Sequence, residues 1–221
     1  MPSPHRRIGR TRLVGALLLV ALLVAMALNT KFLTPAEVAA IAPKPFDPAR
    51  TAADLYAKAQ QDLPDQAQPL GEVVPAVQAD VKAAGQKYKA VTPAEGSYVF
   101  PVTATGTVAE ATDAALSLRV QGVPSETPVL IPLSTAVNGT VIRDVMGFKF
   151  AQAPGQTDFQ YVGDELKKLM LAEIGSSIDD PKSLKGKQIT VVGALNIQGT
   201  GTSVPKAKPL NVQPISVKAG S

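Results

Sequence analysis

Cysteine is absent from all 221 residues, and the single histidine, His5, lies ahead of the first apolar run. The first absence excludes disulfides, thiolate metal sites, a cysteine nucleophile and a diacylglycerol-modified lipobox cysteine. The second leaves no histidine for a Ser-His-Asp arrangement or a zinc site beyond the leader. No cofactor and no metal is therefore expected, and catalysis would have to run on carboxylates, lysines or tyrosines. A glycine-rich phosphate loop and a nucleophile elbow are missing too. Net positive charge is also lacking once one segment is set aside. Of 22 Lys plus Arg, four are Arg6, Arg7, Arg10 and Arg12, which leaves 18 against 18 Asp plus Glu. A neutral body lacks the clustered cations that nucleic-acid backbones require, so no nucleic-acid partner is expected.

What is present begins with an address. Leu13 to Leu28 is sixteen uninterrupted apolar residues behind the arginine cluster, the pattern of an export signal. Sixteen is short against the roughly 20 residues that fill a bilayer core. Ala25-Met26-Ala27 suits a signal peptidase, whereas Phe32 and Leu33 prolong the apolar character past Asn29-Thr30-Lys31. Two outcomes stay open: inner-membrane anchorage through Leu13–Leu28 with a periplasmic body, or a periplasmic protein cleaved after Ala27. Either way the positive-inside rule puts the body outside the cytoplasm.

Three organisational segments are expected: a signal anchor or signal peptide over 1–33, a helical spacer over 34–92 and a β-barrel domain over 93–221. Thr34-Pro35-Ala36-Glu37 is a capping box that starts a helix ending before Pro43. A second helix follows Asp47-Pro48, carries Leu55, Ala59 and Leu63 on one face and stops at Pro64. A third is expected over Glu72 to Ala84, with Val74, Val77 and Val81 as its stripe and Gly85 as its C-cap.

From Ser97 the period changes from 3.6 to 2. Tyr98, Phe100, Val102, Ala104, Gly106 and Val108 alternate with their neighbours; Ala115 to Val120 follows a turn at Thr112-Asp113, and Pro128 to Leu133 makes a third strand. Phe159-Gln160-Tyr161 leads into an amphipathic helix from Asp164 to Ser176, ended by Gly175. Two strands close the chain, within Gly186 to Gly193 and Leu210 to Val217. Three strands, a helix and two strands is the order of the five-stranded Greek-key barrel that binds oligonucleotides or oligosaccharides in many proteins. The fold class is thus α+β: an N-terminal membrane or signal helix, a helical segment, then a small five- or six-stranded OB-like β-barrel with one helix between strands.

The polar residues concentrate in Val137 to Phe150. Asn138-Gly139 signals a turn, and Arg143-Asp144 lies between the apolar pairs Val141-Ile142 and Val145-Met146. Burying either charge without its partner costs roughly 3–5 kcal/mol, so the two are expected to pair with each other or with backbone. Arg143 and Asp144 read first as an ion pair that locks the turn after Gly139-Thr140 against the barrel, and second as candidate ligand contacts. Phe148, Phe150, Phe159 and Tyr161 are candidates for a stacking platform under a sugar or base, or for core. Asp158 and Asp164 are the carboxylate pair a hydrolase would need.

The leader, Phe46-Asp47-Pro48, the Gly96 to Val102 strand with Gly106 and Val108, and Gly139-Thr140, Arg143-Asp144 and Gly147-Phe148 followed by Tyr161 together resemble a bacterial family known only as predicted periplasmic lipoproteins. The likeness runs over nearly the whole chain. Where the family carries an Asn-Gln pair before the last helix, this chain has Thr157-Asp158. The resemblance transfers no catalytic residue. The candidate binding residues are Arg143, Asp144, Phe148 and Tyr161, with structural roles for Asn138, Gly139, Thr140 and Gly147, and what the resemblance implies is an accessory role beside sugar importers of the ATP-binding-cassette type. The expectation is a non-enzymatic, membrane-tethered periplasmic module that binds a partner protein or a carbohydrate. The alternatives are an assembly factor of an envelope complex docking through its helical segment and, last, a carboxylate-based hydrolase. The oligomeric state and the ligand are not legible.

Overall fold

The computed structural model describes residues 10–31, 33–35, 37, 38, 45–198 and 203–220. The chain divides into two compact units, Met1–Pro45 and Phe46–Ser221.

In the first unit, helix α1 (Arg10–Asn29) is 20 residues long. At about 1.5 Å per residue it spans ~30 Å, the thickness of a bilayer core. Its apolar side chains are exposed: Leu17, Leu18 and Leu22 are each more than half so. Extending the helix over Arg10 and Arg12 makes up the length that the sixteen-residue apolar run lacked. Beyond it, Thr34 N donates to Glu37 Oε2 (2.7 Å) and Glu37 N to Thr34 Oγ1 (3.3 Å), the reciprocal bonds of a capping box. The end of that helix, expected before Pro43, lies outside the described residues.

The second unit starts with α2 (Pro48–Gln66), capped by Asp47, which accepts from Arg50 N at 3.1 Å. Ala52, Tyr56, Ala59 and Leu63 form its buried stripe. Pro64 does not end the helix as expected. It sits in the last turn, where the chain completes two more helical residues before Ala67 N closes on Leu63 O (2.8 Å). The single helix expected over Glu72 to Ala84 is instead two, α3 (Leu70–Ala79) and α4 (Val81–Lys87). Asp80 adopts extended φ/ψ between them and caps α4 by accepting from Ala83 N (2.9 Å). Gly85 is not a C-cap. It lies buried inside α4, because a Cβ there would strike the Tyr98 ring.

The strands are β1 (Gln68–Pro69), β2 (Ser97–Ala111), β3 (Ala115–Val120), β4 (Val129–Pro132), β5 (Gln188–Gln198) and β6 (Leu210–Ala219). Their order is β1-β2-β3-β4-β6-β5, and β5 returns to pair with β2, which closes a five-stranded barrel carrying the short β1 beside it. β2 achieves closure by bending. Its span from Ser97 to Thr107 pairs with β5, while Gly106 to Ala111 pairs with β3 across a bulge at Val108/Glu110. Gly106 permits that overlap, since any Cβ there would collide with the Arg119 carbonyl. The neighbouring pairs are antiparallel except β4 with β6, and the parallel pairing of β1 with β2.

Helices α5 (Gly139–Val145) and α6 (Gln156–Ser177) fill the connection from β4 to β5. α6 begins eight residues before the expected Asp164 and runs through Gly175, which is exposed and helical; Ile178 is its C-cap. Val162, Leu166, Met170 and Ile174, four residues apart, are buried against α2, α5 and β6.

The helices over 48–87 are not a spacer. Their buried residues belong to the same hydrophobic cluster as Phe100, Leu116, Ile131 and Leu195 of the strands, so no boundary falls at 92/93. Their Ala-rich stripes carry too little apolar surface to stand alone, and packing against the sheet supplies what propensity cannot.

Candidate functional site

Val137 to Phe150 is built around α5, not around a hairpin turn. Asn138 tolerates turn geometry but is also a strong N-cap, and here its Oδ1 accepts from Thr140 N (3.0 Å) and Thr140 Oγ1 (2.7 Å). Asn138 N donates to Gln213 Oε1 of β6 (2.8 Å), which ties the helix start to the barrel. Gly139 is buried against α6, where a Cβ would overlap the Gly163 carbonyl oxygen and Lys167 N. A Cβ on Gly163 would in turn meet Thr140 Cγ2 at 2.8 Å. Two glycines facing each other therefore set the approach of the two helices.

The other end of α5 stops in a Schellman motif. Gly147 has φ +73°; its N–H donates to Asp144 O (3.0 Å), and Phe148 N donates to Arg143 O (3.2 Å). That reversal turns Phe148 inward and leaves Gly147 exposed.

Arg143 is 7% exposed and is held on three sides. Nε and Nη2 both donate to Asp144 Oδ1 (2.9 and 2.8 Å), and Nη1 donates to the Phe159 carbonyl (3.1 Å). Its guanidinium carbon also lies 3.7 Å from the centroid of the Phe159 ring. Phe159 stacks with Phe148 at 5.9 Å and meets Phe150 edge-on at 5.6 Å. The ion pair and the three rings are thus one assembly, with α5, the residues after it and the first turn of α6 each supplying a part.

This assembly lines a cavity of about 760 Å³, which Val91, Ser97 and Gln198 also border. Two groups in it are open to a ligand. Asp144 receives both guanidinium bonds on Oδ1, and its Oδ2 accepts no hydrogen bond among the described residues. Phe150 is 52% exposed. A carboxylate and an exposed ring in one lining can take a hydroxyl or amine donor at one and an apolar C–H face at the other. A second space, about 650 Å³, lies along the threonines on the outer face of β2 and has no aromatic or buried charge in its lining.

Arg143, Asp144, Gly147 and Phe148 are brought together as wall residues. Asn138 caps α5 and lines a smaller neighbouring cavity, while Gly139 and Thr140 form the helix contact. Tyr161 is 52% exposed on α6 and does not line the cavity with the phenylalanines. Asp158 and Asp164 are six residues apart on α6, so at about 100° per residue they point to different sides of the helix. Ser97 and Gln198 carried no signal in the sequence. They meet only because β2 and β5 pair in that register, across a separation of about a hundred residues.

The model of a family described as predicted periplasmic lipoprotein, a domain of unknown function (DUF2291), matches residues 18–218. A solved structure described as an OB-fold protein from Thermotoga maritima is similar to this chain, with a TM-score of 0.67 and 17% identity, over 80% of this chain and 100% of the other. At that identity the likeness carries the fold alone. No curated protein matches the chain.

Proposed function

The chain belongs to that family of predicted periplasmic lipoproteins, and on this premise we propose that it is a non-enzymatic module, tethered at the outer face of the inner membrane, whose α5–α6 cavity binds a carbohydrate. With no cysteine in the sequence a lipid thioether has nowhere to form, so α1 is the tether. The observation that carries the carbohydrate reading is the pairing of Asp144 Oδ2 with the exposed Phe150 ring in one cavity. Sugars present both a hydroxyl edge and an apolar ring face, and pockets of this size hold small ligands through apolar walls and a few convergent polar groups.

A sugar-binding body held at that membrane face is in place to serve an ATP-binding-cassette importer, and accessory action beside one is the finer form of the proposal. An assembly factor docking through α2 to α4 has less in its favour, because the apolar stripes of those helices face the core. Hydrolysis by Asp158 and Asp164 lacks the facing geometry two carboxylates need.

Titration of the full chain in a phosphocholine detergent with neutral monosaccharides tests the reading. Saturable binding, weakened about tenfold in Phe150→Ala and in Asp144→Ala, with the sugar recovered unchanged, is the expected outcome. Binding that ignores both substitutions, no binding, or turnover of the sugar contradicts it.

A further inference from the structure

The carbohydrate cavity has a neighbour. A second cavity of about 300 Å³ is lined by Asn138, Asn196, Asn211 and Gln213, and shares Gln198 with the first. The two lie side by side along common walls. α5 and its flanks form one wall: Asn138 and Val141 border the smaller cavity, whereas Arg143, Asp144 and Gly147 border the larger. Six steps at 1.5 Å each separate Asn138 from Asp144 by about 9 Å, longer than one pyranose ring and close to the length of a disaccharide. The end of β5 forms the other wall.

The second cavity differs in chemistry from the first. Asn196 and Gln198 are two apart on β5, so their amides leave the same face of the strand about 7 Å from each other. Asn196 Oδ1 accepts from Ser97 Oγ (3.3 Å), a bond that joins a wall residue of each cavity and orients the amide. Its Nδ2, and the side-chain amides of the exposed Gln198 and Asn211, make no hydrogen bond to any described residue. Gln213, by contrast, is fully engaged, with Oε1 on Asn138 N and Nε2 on Ala136 O (3.3 Å), so it shapes the cavity and does not offer itself. Planar amides with both a donor and an acceptor match vicinal hydroxyls; the lining also holds Lys208 and Pro209 and has no aromatic ring for stacking.

We propose that the two cavities are adjoining subsites of one cleft, and that the ligand is an oligosaccharide of at least two rings. One sugar lies against Phe150 and Asp144, and the next passes Gln198 to be held by Asn196 and Asn211. This rests on the carbohydrate reading above and adds length, direction and a second set of contacts to it. Gln198 stands at the junction and is the residue through which a longer ligand gains affinity over a shorter one.

Calorimetric titration of the full chain in the same sugar-free detergent tests this, with glucose, maltose and maltotriose in one series and xylose, xylobiose and xylotriose in another. In at least one series the trisaccharide is expected to bind about tenfold or more tighter than its monosaccharide. In Asn211→Ala, an exposed position that lines the smaller cavity and not the larger, that ratio is expected to fall toward one while monosaccharide binding and the melting temperature stay as in the parent. Equal affinity for one ring and three overturns the proposal. So does a trisaccharide preference that this substitution leaves intact, since the extra contacts would then lie elsewhere. If no sugar in either series binds, the carbohydrate reading itself falls and the extension falls with it, an outcome distinct from short-ligand binding alone.

Discussion

Arg143 shows how a charge is kept inside this body. Its three bonded nitrogens and its stacked face are used by Asp144 and Phe159, so the group organises the wall more than it offers a free fork to a ligand. Removing it strands a carboxylate that is only 16% exposed in its side chain. Arg143→Ala is expected to lower stability by about 3 kcal/mol in urea unfolding, whereas Arg143→Lys, which keeps the charge but not the planar fork, should lose about half as much. A change within roughly 0.5 kcal/mol for the alanine variant, the size of an ordinary surface substitution, would show that the pair is not a structural unit. The glycines beside it separate two causes. Gly139→Ala forces backbone overlap with α6 and is expected to cost at least 1–3 kcal/mol. Gly147→Ala meets no atom within 4 Å and should cost only the left-handed strain, about 1 kcal/mol. Equal losses in the two variants would refute the close-approach account. The ionic partners at 143 and 144 were legible in the sequence, because two adjacent opposite charges among apolar residues have few other solutions. The third partner was not, since the Phe159 carbonyl arrives from another helix.

At the scale of elements, α2 is joined to the barrel by Tyr56. It is 7% exposed, and its hydroxyl donates to Ile215 O at 3.3 Å. Ile215 is the extra residue where β6 bulges opposite Val192/Gly193, so its carbonyl lies outside the ladder and is available to the tyrosine. Burial, and then the negative charge of Glu173, push the Tyr56 pKa well above its ordinary value of 10. The neutral phenol is favoured in the folded protein, whereas in the unfolded chain Tyr56 ionises near pH 10. Its contribution is therefore complete below pH 10 and declines as the pH rises above that. Denaturant midpoints measured from pH 8 to pH 11.5 should fall above pH 10 in the parent, and the part of the fall due to Tyr56 should be missing in Tyr56→Phe. Parallel curves for the two proteins would contradict this. Period and caps located most of the elements, including Asp47 as a cap and the alternating face of β2. Two of the failures share a cause: Asn138-Gly139 and Gly85 each have two local uses, and tertiary packing chose the one that the sequence ranked lower. Gly85 is helical because the Tyr98 ring occupies the space of its Cβ.

For the whole molecule, the strand order announced a Greek-key barrel, and the closure of β2 on β5 realises it. The extent of the body was misjudged, because helices of low apolar content looked like a spacer when read alone and proved to be part of the barrel's core. The cleft was half legible. Phe148 and the Arg143-Asp144 pair were recognisable within one short motif, but Tyr161 does not line the cavity and the β5 wall enters only through strand register. Chain distant in sequence thus completes the cavity on which the functional proposal depends. The most direct test is saturation-transfer NMR on the full chain in sugar-free detergent with a mixture of neutral sugars. Transfer to sugar ring protons in the parent, lost in Phe150→Ala at an unchanged melting temperature, is the predicted result. No transfer to any sugar, or transfer of equal strength in the Phe150→Ala and Asp144→Ala variants, would contradict a carbohydrate site between α5 and α6.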